Sequence, residues 1–146
     1  MRNRSAGMDA KIESAAPFTA QLTPLARIVS TAVTGLSPEI MGLGPIEAIK
    51  KALANAGKTI SDIDLVEINE AFAVQVLGSA RELGIDEDKL NVSGGAIALG
   101  HPFGMTGARI TATLLNNLQT HDKTFGIESM CVGGGQGMAM VVERLS

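Results

Sequence analysis

The chain has 146 residues, the size of one domain, and its 45% hydrophobic content is enough to build a core, which excludes global disorder. Twelve basic and fifteen acidic side chains leave a net charge of −3, which argues against a nucleic-acid or anionic-membrane surface, because those need clustered Lys and Arg. No apolar run reaches the ~18–20 residues of a membrane helix, and with no Trp, no Tyr and only four Phe the chain has little to stack on single-stranded nucleic acid.

In chain order, residues 1–21 mix charges with Ser and Ala, lack the apolar stretch of a secretory signal, and read as a loosely ordered leader. LARIVSTAVTG (25–35) is β-branched and nearly continuously apolar, the pattern of a buried strand. Pro38 and the MGLGP run (41–45) break it. Pro45 suits a first helical turn, Ile46, Ile49 and Leu53 follow at helical spacing, and Gly57 sits where a left-handed cap belongs. DIDLVEI (62–68) predicts a short strand, and 70–83 a helix with Phe72, Val76, Ala80 and Leu83 on one face. A short strand is expected at 91–93, then a glycine-rich loop at 94–107. A helix over 106–118 follows, with Ile110, Leu114 and Leu118 in register. The end, TFGIESMCV–GGGQG–MAMVVERL, predicts an antiparallel hairpin. The alternation of strand and helix implies an α/β fold with a mostly parallel sheet.

Nine of the seventeen glycines fall in two loops, 94–107 and 133–137, where they let backbone approach a ligand or permit positive φ. Three segments carry candidate chemistry. INEAFA (68–73) places Asn69 and Glu70 at a strand-to-helix junction, where α/β proteins bind ligands, although Asn69 also suits a plain N-cap. GGAIALGHPFGMTGAR (94–109) holds His101 on a loop stiffened by Pro102, either as a reactive group or as a tie for the loop. It lacks the lysine of a phosphate-binding P-loop. CVGGGQG (131–137) sets Cys131 against open backbone donors. A dinucleotide site is excluded because a strand, not a helix, follows, and the alternative is a small buried hydrophobe. Glu70 and Glu128 are further candidate bases, with no specific spacing, and His121 lies in a polar turn. One cysteine cannot close an internal disulfide and fits a reducing, cytoplasmic setting; with two histidines it makes a poor zinc site. One Cys, one loop His and one Asn near strand ends suit chemistry on thioesters, where a thiolate or carbanion is made and an oxygen stabilised.

NEAFA, GGAIALGHPFGMTGAR and CVGGGQG, in this order and with fitting gaps, resemble the thiolase family, the acetyl-CoA C-acyltransferases. The likeness runs over residues 22–144 and takes in PLARIVS and MGLGPIEA. The resemblance implies Claisen condensation or thiolytic cleavage of a 3-ketoacyl-CoA, with coenzyme A as a substrate and no resident cofactor or metal. It implies that His101 helps activate a nucleophilic cysteine and donates to the thioester oxygen, and that Asn69 holds a water completing that oxyanion hole. Cys131 becomes the acid/base cysteine, the Gly133 N–H lines a second oxyanion hole, and Phe72 and Met41 lie near the pantetheine arm. The resemblance implies a C-terminal half of βαβαβαββ type with a mixed sheet; the family's nucleophilic cysteine belongs to a similar N-terminal half, and the one cysteine here matches the other. A partner supplying that half, or self-association, is therefore expected, and the isolated chain is expected to be inactive. The C-terminal half also reads as short of its first strand and helix, an alanine-rich strand taken to lie mid-sheet, whose loss is expected to expose two strand edges. The rival readings are a non-catalytic acyl-CoA- or partner-binding module, a truncated gene product, and a cysteine hydrolase using Cys131 and His101.

Overall fold

The computed structural model describes residues 22–145, so the leader expected at 1–21 lies outside the described residues. Four strands, β1 (Ala26–Gly35), β2 (Leu65–Ile68), β3 (Phe125–Val132) and β4 (Gln136–Arg144), form one sheet in the order β1-β4-β3-β2. β2 runs parallel to β3, whereas β3–β4 and β4–β1 are antiparallel. The fold is α/β with a mixed sheet, as the family resemblance implies; two of the three pairings are antiparallel, which departs only from the mostly parallel sheet that the alternation of strand and helix suggests. The hairpin dictates the first antiparallel pair, and β1 adds the second by joining the far side of β4.

The sheet is continuous. β4 and β3 are each hydrogen-bonded on both sides, so no gap stands where a central strand was expected to be missing. The two exposed inner edges expected from that loss do not occur among the described residues.

Among the described residues four α-helices complete the layers: α1 (Gly44–Ala56), α2 (Ala73–Leu83), the single-turn α3 (Ala96–Leu99) and α4 (Thr106–Thr120). α1 starts with Pro45 in its first turn and ends on Gly57 at φ 64°, a left-handed cap whose N–H reaches back into the helix. Its Ala48, Ile49, Ala52 and Leu53 pack on Ala32, Ala139, Val141, Ile127, Val66 and Ile68 of the sheet, joined by Val76 and Ala80 of α2. The opposite face meets α4, where Leu114 and Leu118 pack on Leu65 and Val142. Alternation along β2 sends Val66 and Ile68 to the first face and Leu65 and Glu67 to the second, the two-residue period of a strand covered on both sides. Among the described residues no helix is long and apolar enough to cross a membrane.

Three local expectations change. β1, expected as a buried strand, is an edge strand in which only Ala32 is buried. Residues 91–93 form no strand. Leu90 makes a single bridge to Val66, and then the Asn91 side chain, at φ 46°, takes over the edge of β2. Its Oδ1 accepts from Ile68 N at 2.9 Å, and its Nδ2 donates to Ile68 O at 2.9 Å. Helix α2 begins at Ala73 rather than Glu70, because Phe72 is still extended (φ −146°, ψ 142°).

Candidate active site

The site lies at the carboxyl ends of β2 and β3, where the parallel pair stops and the chain turns away. Asn69 follows the last residue of β2 and is fully buried. Its backbone N–H donates to Ser129 O at 3.0 Å, which extends the β2–β3 ladder by one bond. Its side chain is not an N-cap, since α2 starts four residues later with no side-chain cap. Instead Nδ2 lies 3.4 Å from His101 Nδ1 and 3.3 Å from His101 Nε2, and Oδ1 accepts from Arg109 Nη2 at 3.2 Å.

The loop carrying His101 is tied down by Glu70, whose carboxylate accepts from Asn91 Nδ2 at 2.9 Å and from Ile97 N at 3.0 Å. A Cβ on Gly95 would stand 2.6 Å from Glu70 Oε2, so the glycine is what lets the carboxylate reach the turn. Glu70 is thereby occupied as a staple, which argues against its reading as a base. His101 is half-buried, with Nδ1 2.7 Å from Thr106 Oγ1. That hydroxyl also lies 3.3 Å from Pro102 O, to which it donates when it accepts from Nδ1–H. Because a hydroxyl donates or accepts by rotating, it supports either imidazole tautomer. Phe103 packs edge-on to the ring at 5.0 Å.

Cys131 stands next to last in β3, half-buried, and its Sγ accepts from Gln75 Nε2 at 3.2 Å. Gly133, Gly134 and Gly135 all have positive φ (61°, 70° and 157°), a tight turn that only glycines take without strain. Among the described residues no hydrogen bond joins Cys131 to His101. A preformed cysteine-hydrolase dyad is therefore not present.

A groove of about 590 Å³ gathers Met41, Phe72, His101, Cys131 and Gly133 on its walls, with Thr106 and Phe103 beside them. Asn69 touches it through His101. Five of the six site residues that the resemblance implies line this groove, from the MGLGP turn, the β2–α2 junction, the glycine-rich loop and the hairpin, and Asn69 lies behind His101. Phe72 is 71% exposed and Met41 36%, so one side of the groove is open. Among the described residues no cluster of three or more His, Cys, Asp or Glu could hold a metal.

Sequence reasoning missed Gln75, Thr106 and Arg109. Gln75 is a buried polar residue beside Val76 on the core face of α2, and that pattern break was its signal. Thr106 and Arg109 are three apart on α4, which puts both on one helical face next to the His101 loop. Beneath them, Glu67 and Glu128 sit opposite each other on β2 and β3 and are buried under α4. Burial pushes the Glu67 carboxyl up to about 7, against the pull of Arg109 and of Asn117, whose Nδ2 lies 3.3 Å away. Burial likewise raises Glu128 to about 7, partly offset by the Thr111 hydroxyl.

Comparison with known proteins gives a consistent result. Residues 22–144 match the family model "Thiolase, C-terminal domain". The acetyl-CoA acetyltransferase of Escherichia coli (strain K12) is 56% identical over 135 residues, covering 92% of this chain and 34% of that protein. The cytosolic acetyl-CoA acetyltransferase of Mus musculus is 54% identical over 123 residues, covering 84% and 31%. The crystal structure of human mitochondrial 3-ketoacyl-CoA thiolase superposes with a TM-score of 0.83 at 45% identity, covering 98% of this chain and 34% of that one. The Bacillus anthracis acetyl-CoA acetyltransferase gives 0.84 at 47% identity, covering 94% and 33%. The chain spans about a third of the length of the relatives it matches. The motifs, the mixed sheet and these matches agree that this chain belongs to the thiolase family and corresponds to its C-terminal domain.

Proposed function

We propose that the chain supplies the proton-transfer and oxyanion portion of a thiolase-type acyl-CoA acyltransferase, acting with a second thiolase portion that brings the nucleophilic cysteine. The observation that carries this reading is the single groove lined by Met41, Phe72, His101, Cys131 and Gly133, with Asn69 against the imidazole. His101 donates to the substrate's thioester oxygen and assists ionisation of the incoming nucleophile, while Thr106 follows the change of tautomer at Nδ1. Asn69 Nδ2 completes the same oxyanion site through a water. Cys131 moves the proton on and off the substrate α-carbon or the coenzyme A thiol, and Gly133 N–H receives the second oxyanion. Each such donor is worth about 10²–10³ in rate. Coenzyme A enters as substrate along the open wall at Phe72 and Met41, a reading supported by the crystal structure of human mitochondrial 3-ketoacyl-CoA thiolase in complex with CoA. No resident cofactor is invoked, and the single cysteine favours a cytoplasmic setting.

The test is thiolysis of acetoacetyl-CoA by the chain alone and by the chain co-purified with an N-terminal thiolase portion. The expected result is no turnover alone, and turnover in the complex that His101→Ala and Cys131→Ala each abolish. Turnover by the chain alone, lost in Cys131→Ala, would overturn the need for a second cysteine. A stable complex without turnover would overturn the acyltransferase reading.

A further inference from the structure

Asn69 can serve an oxyanion site only if its NH₂ faces the imidazole side. A carboxamide has two ends of nearly the same shape, and the neighbouring ring does not choose between them. Neutral imidazole presents one donor and one acceptor nitrogen, and Asn69 Nδ2 lies almost equally far from both, at 3.4 and 3.3 Å. A flipped amide would accept from the ring as readily as the observed one donates. The backbone does not choose either, since the Asn69 N–H is spent on Ser129 O.

The group that does choose is Arg109. A guanidinium is a donor only, at every accessible pH, so whichever end of the amide meets it must be the oxygen. Arg109 Nη2 donates to Asn69 Oδ1 at 3.2 Å, and this is the guanidinium's one hydrogen bond among the described residues; Nη1 is buried without a partner. The guanidinium is also attracted to the buried carboxyl of Glu67 below it. Asn69 is fully buried, so removing Arg109 would leave Oδ1 a buried acceptor without its donor. The amide then gains by turning its oxygen toward His101, which removes the donor from the site.

We propose that Arg109 is the positioning residue of this site, pinning the Asn69 carboxamide with its oxygen toward α4 and its NH₂ toward His101. The orientation stands on the contacts alone; its effect on catalysis rests on the acyltransferase reading above.

The test reads the two separately. In the ¹⁵N-labelled full chain, nuclear Overhauser contacts from the Asn69 NH₂ protons to the His101 ring protons are measured in wild type, Arg109→Lys and Arg109→Met. The contacts are expected in wild type, weakened in Arg109→Lys and lost in Arg109→Met while the core amide spectrum is kept. Their persistence in folded Arg109→Met overturns the proposal. If Arg109→Met does not fold, Asn69→Asp replaces it. The new carboxylate should pair with Arg109 and shift its guanidinium resonances, and unshifted resonances overturn the proposal. In the reconstituted enzyme, Arg109→Met should lower kcat about 10-fold with KM within about 2-fold, the mark of a lost transition-state contact. An equal rise in KM with kcat unchanged overturns the catalytic part. A wild-type complex with no turnover counts against the acyltransferase reading and leaves the Asn69 contacts to decide the positioning.

Discussion

At the residue scale, Glu128 is one of two buried carboxyls whose location opposes ionisation. It sits on β3 facing α4, and its Oε2 is buried without a hydrogen-bond partner. Burial raises its carboxyl from 4.5 to about 7, and Glu67 opposite it is raised to the same level. For an acid raised on folding, the native state keeps a proton that the unfolded chain releases between about pH 4.5 and 7. Stability therefore falls as pH rises through that window, and the penalty is absent below it. One such carboxyl amounts to roughly 3 kcal/mol at pH 8 as an upper figure, reduced where water reaches the site. Glu128→Gln removes the ionisation without changing shape or disturbing Arg109. We expect it to match wild type at about pH 4 and to exceed it by about 1–3 kcal/mol at pH 8. Urea unfolding followed by far-ultraviolet circular dichroism measures this, and an unchanged gap between the two pH values would refute the burial argument. Nothing in GIESMCV announces this residue, because burial of Glu128 depends on α4, whose placement no local pattern encodes.

At the element scale, α1 and the hairpin meet backbone to backbone. A Cβ on Gly44 would stand 2.8 Å from Gln136 O, and one on Gly137 would run into the Gly44 carbonyl. Gly137 pairs with Cys131 across the hairpin, so this contact also sets how close the MGLGP turn and Met41 come to the thiol. Gly137→Ala should force α1 and β4 apart, at a cost of about 1–3 kcal/mol or more, seen as a lowered urea midpoint. A midpoint equal to wild type would mean that the two backbones have room to separate. Elements whose signals are local were legible in the sequence: α1 from Pro45 to Gly57, the apolar face of α4, and the hairpin from its three glycines. The neighbour of β1 was not, because no residue of 26–35 specifies β4 as its partner across more than a hundred residues. The start of α2 was misread for a related reason. Asn69 has a capping side chain, but its carboxamide is taken by Arg109 and His101, groups brought in from the far loop and helix. The six proposed site residues were picked out by motifs that match a family, whereas Gln75, Thr106 and Arg109 are visible only once the helices are in place.

At the scale of the whole molecule, α4 covers β2, β3 and Val142 of β4, and leaves Ile28 and Val33 of β1 and Met138 of β4 exposed. Register puts Val33 opposite Met138 and Ile28 opposite Val142. Ile28 is 50% exposed, Val33 48% and Met138 39%. Since the sheet has no internal gap, a cooperative fold needs no partner strand, and this exposed part of the sheet is where association should occur. Burying the exposed halves of these three side chains is worth roughly 2–4 kcal/mol, which corresponds at best to a dissociation constant near 1 mM before any ordering cost. The chain alone should therefore unfold cooperatively as a monomer when dilute and self-associate weakly as concentration rises. A thiolase portion that covers a larger area would bind far more tightly than a second copy does. Ile28→Thr with Val33→Thr keeps β propensity while removing apolar surface. In sedimentation velocity across a concentration series, the double variant should stay monomeric where wild type begins to associate. In the same instrument it should also lose affinity for a co-purified N-terminal thiolase portion. Identical behaviour of the two proteins in both measurements would show that the exposed part of the sheet is not the contact surface.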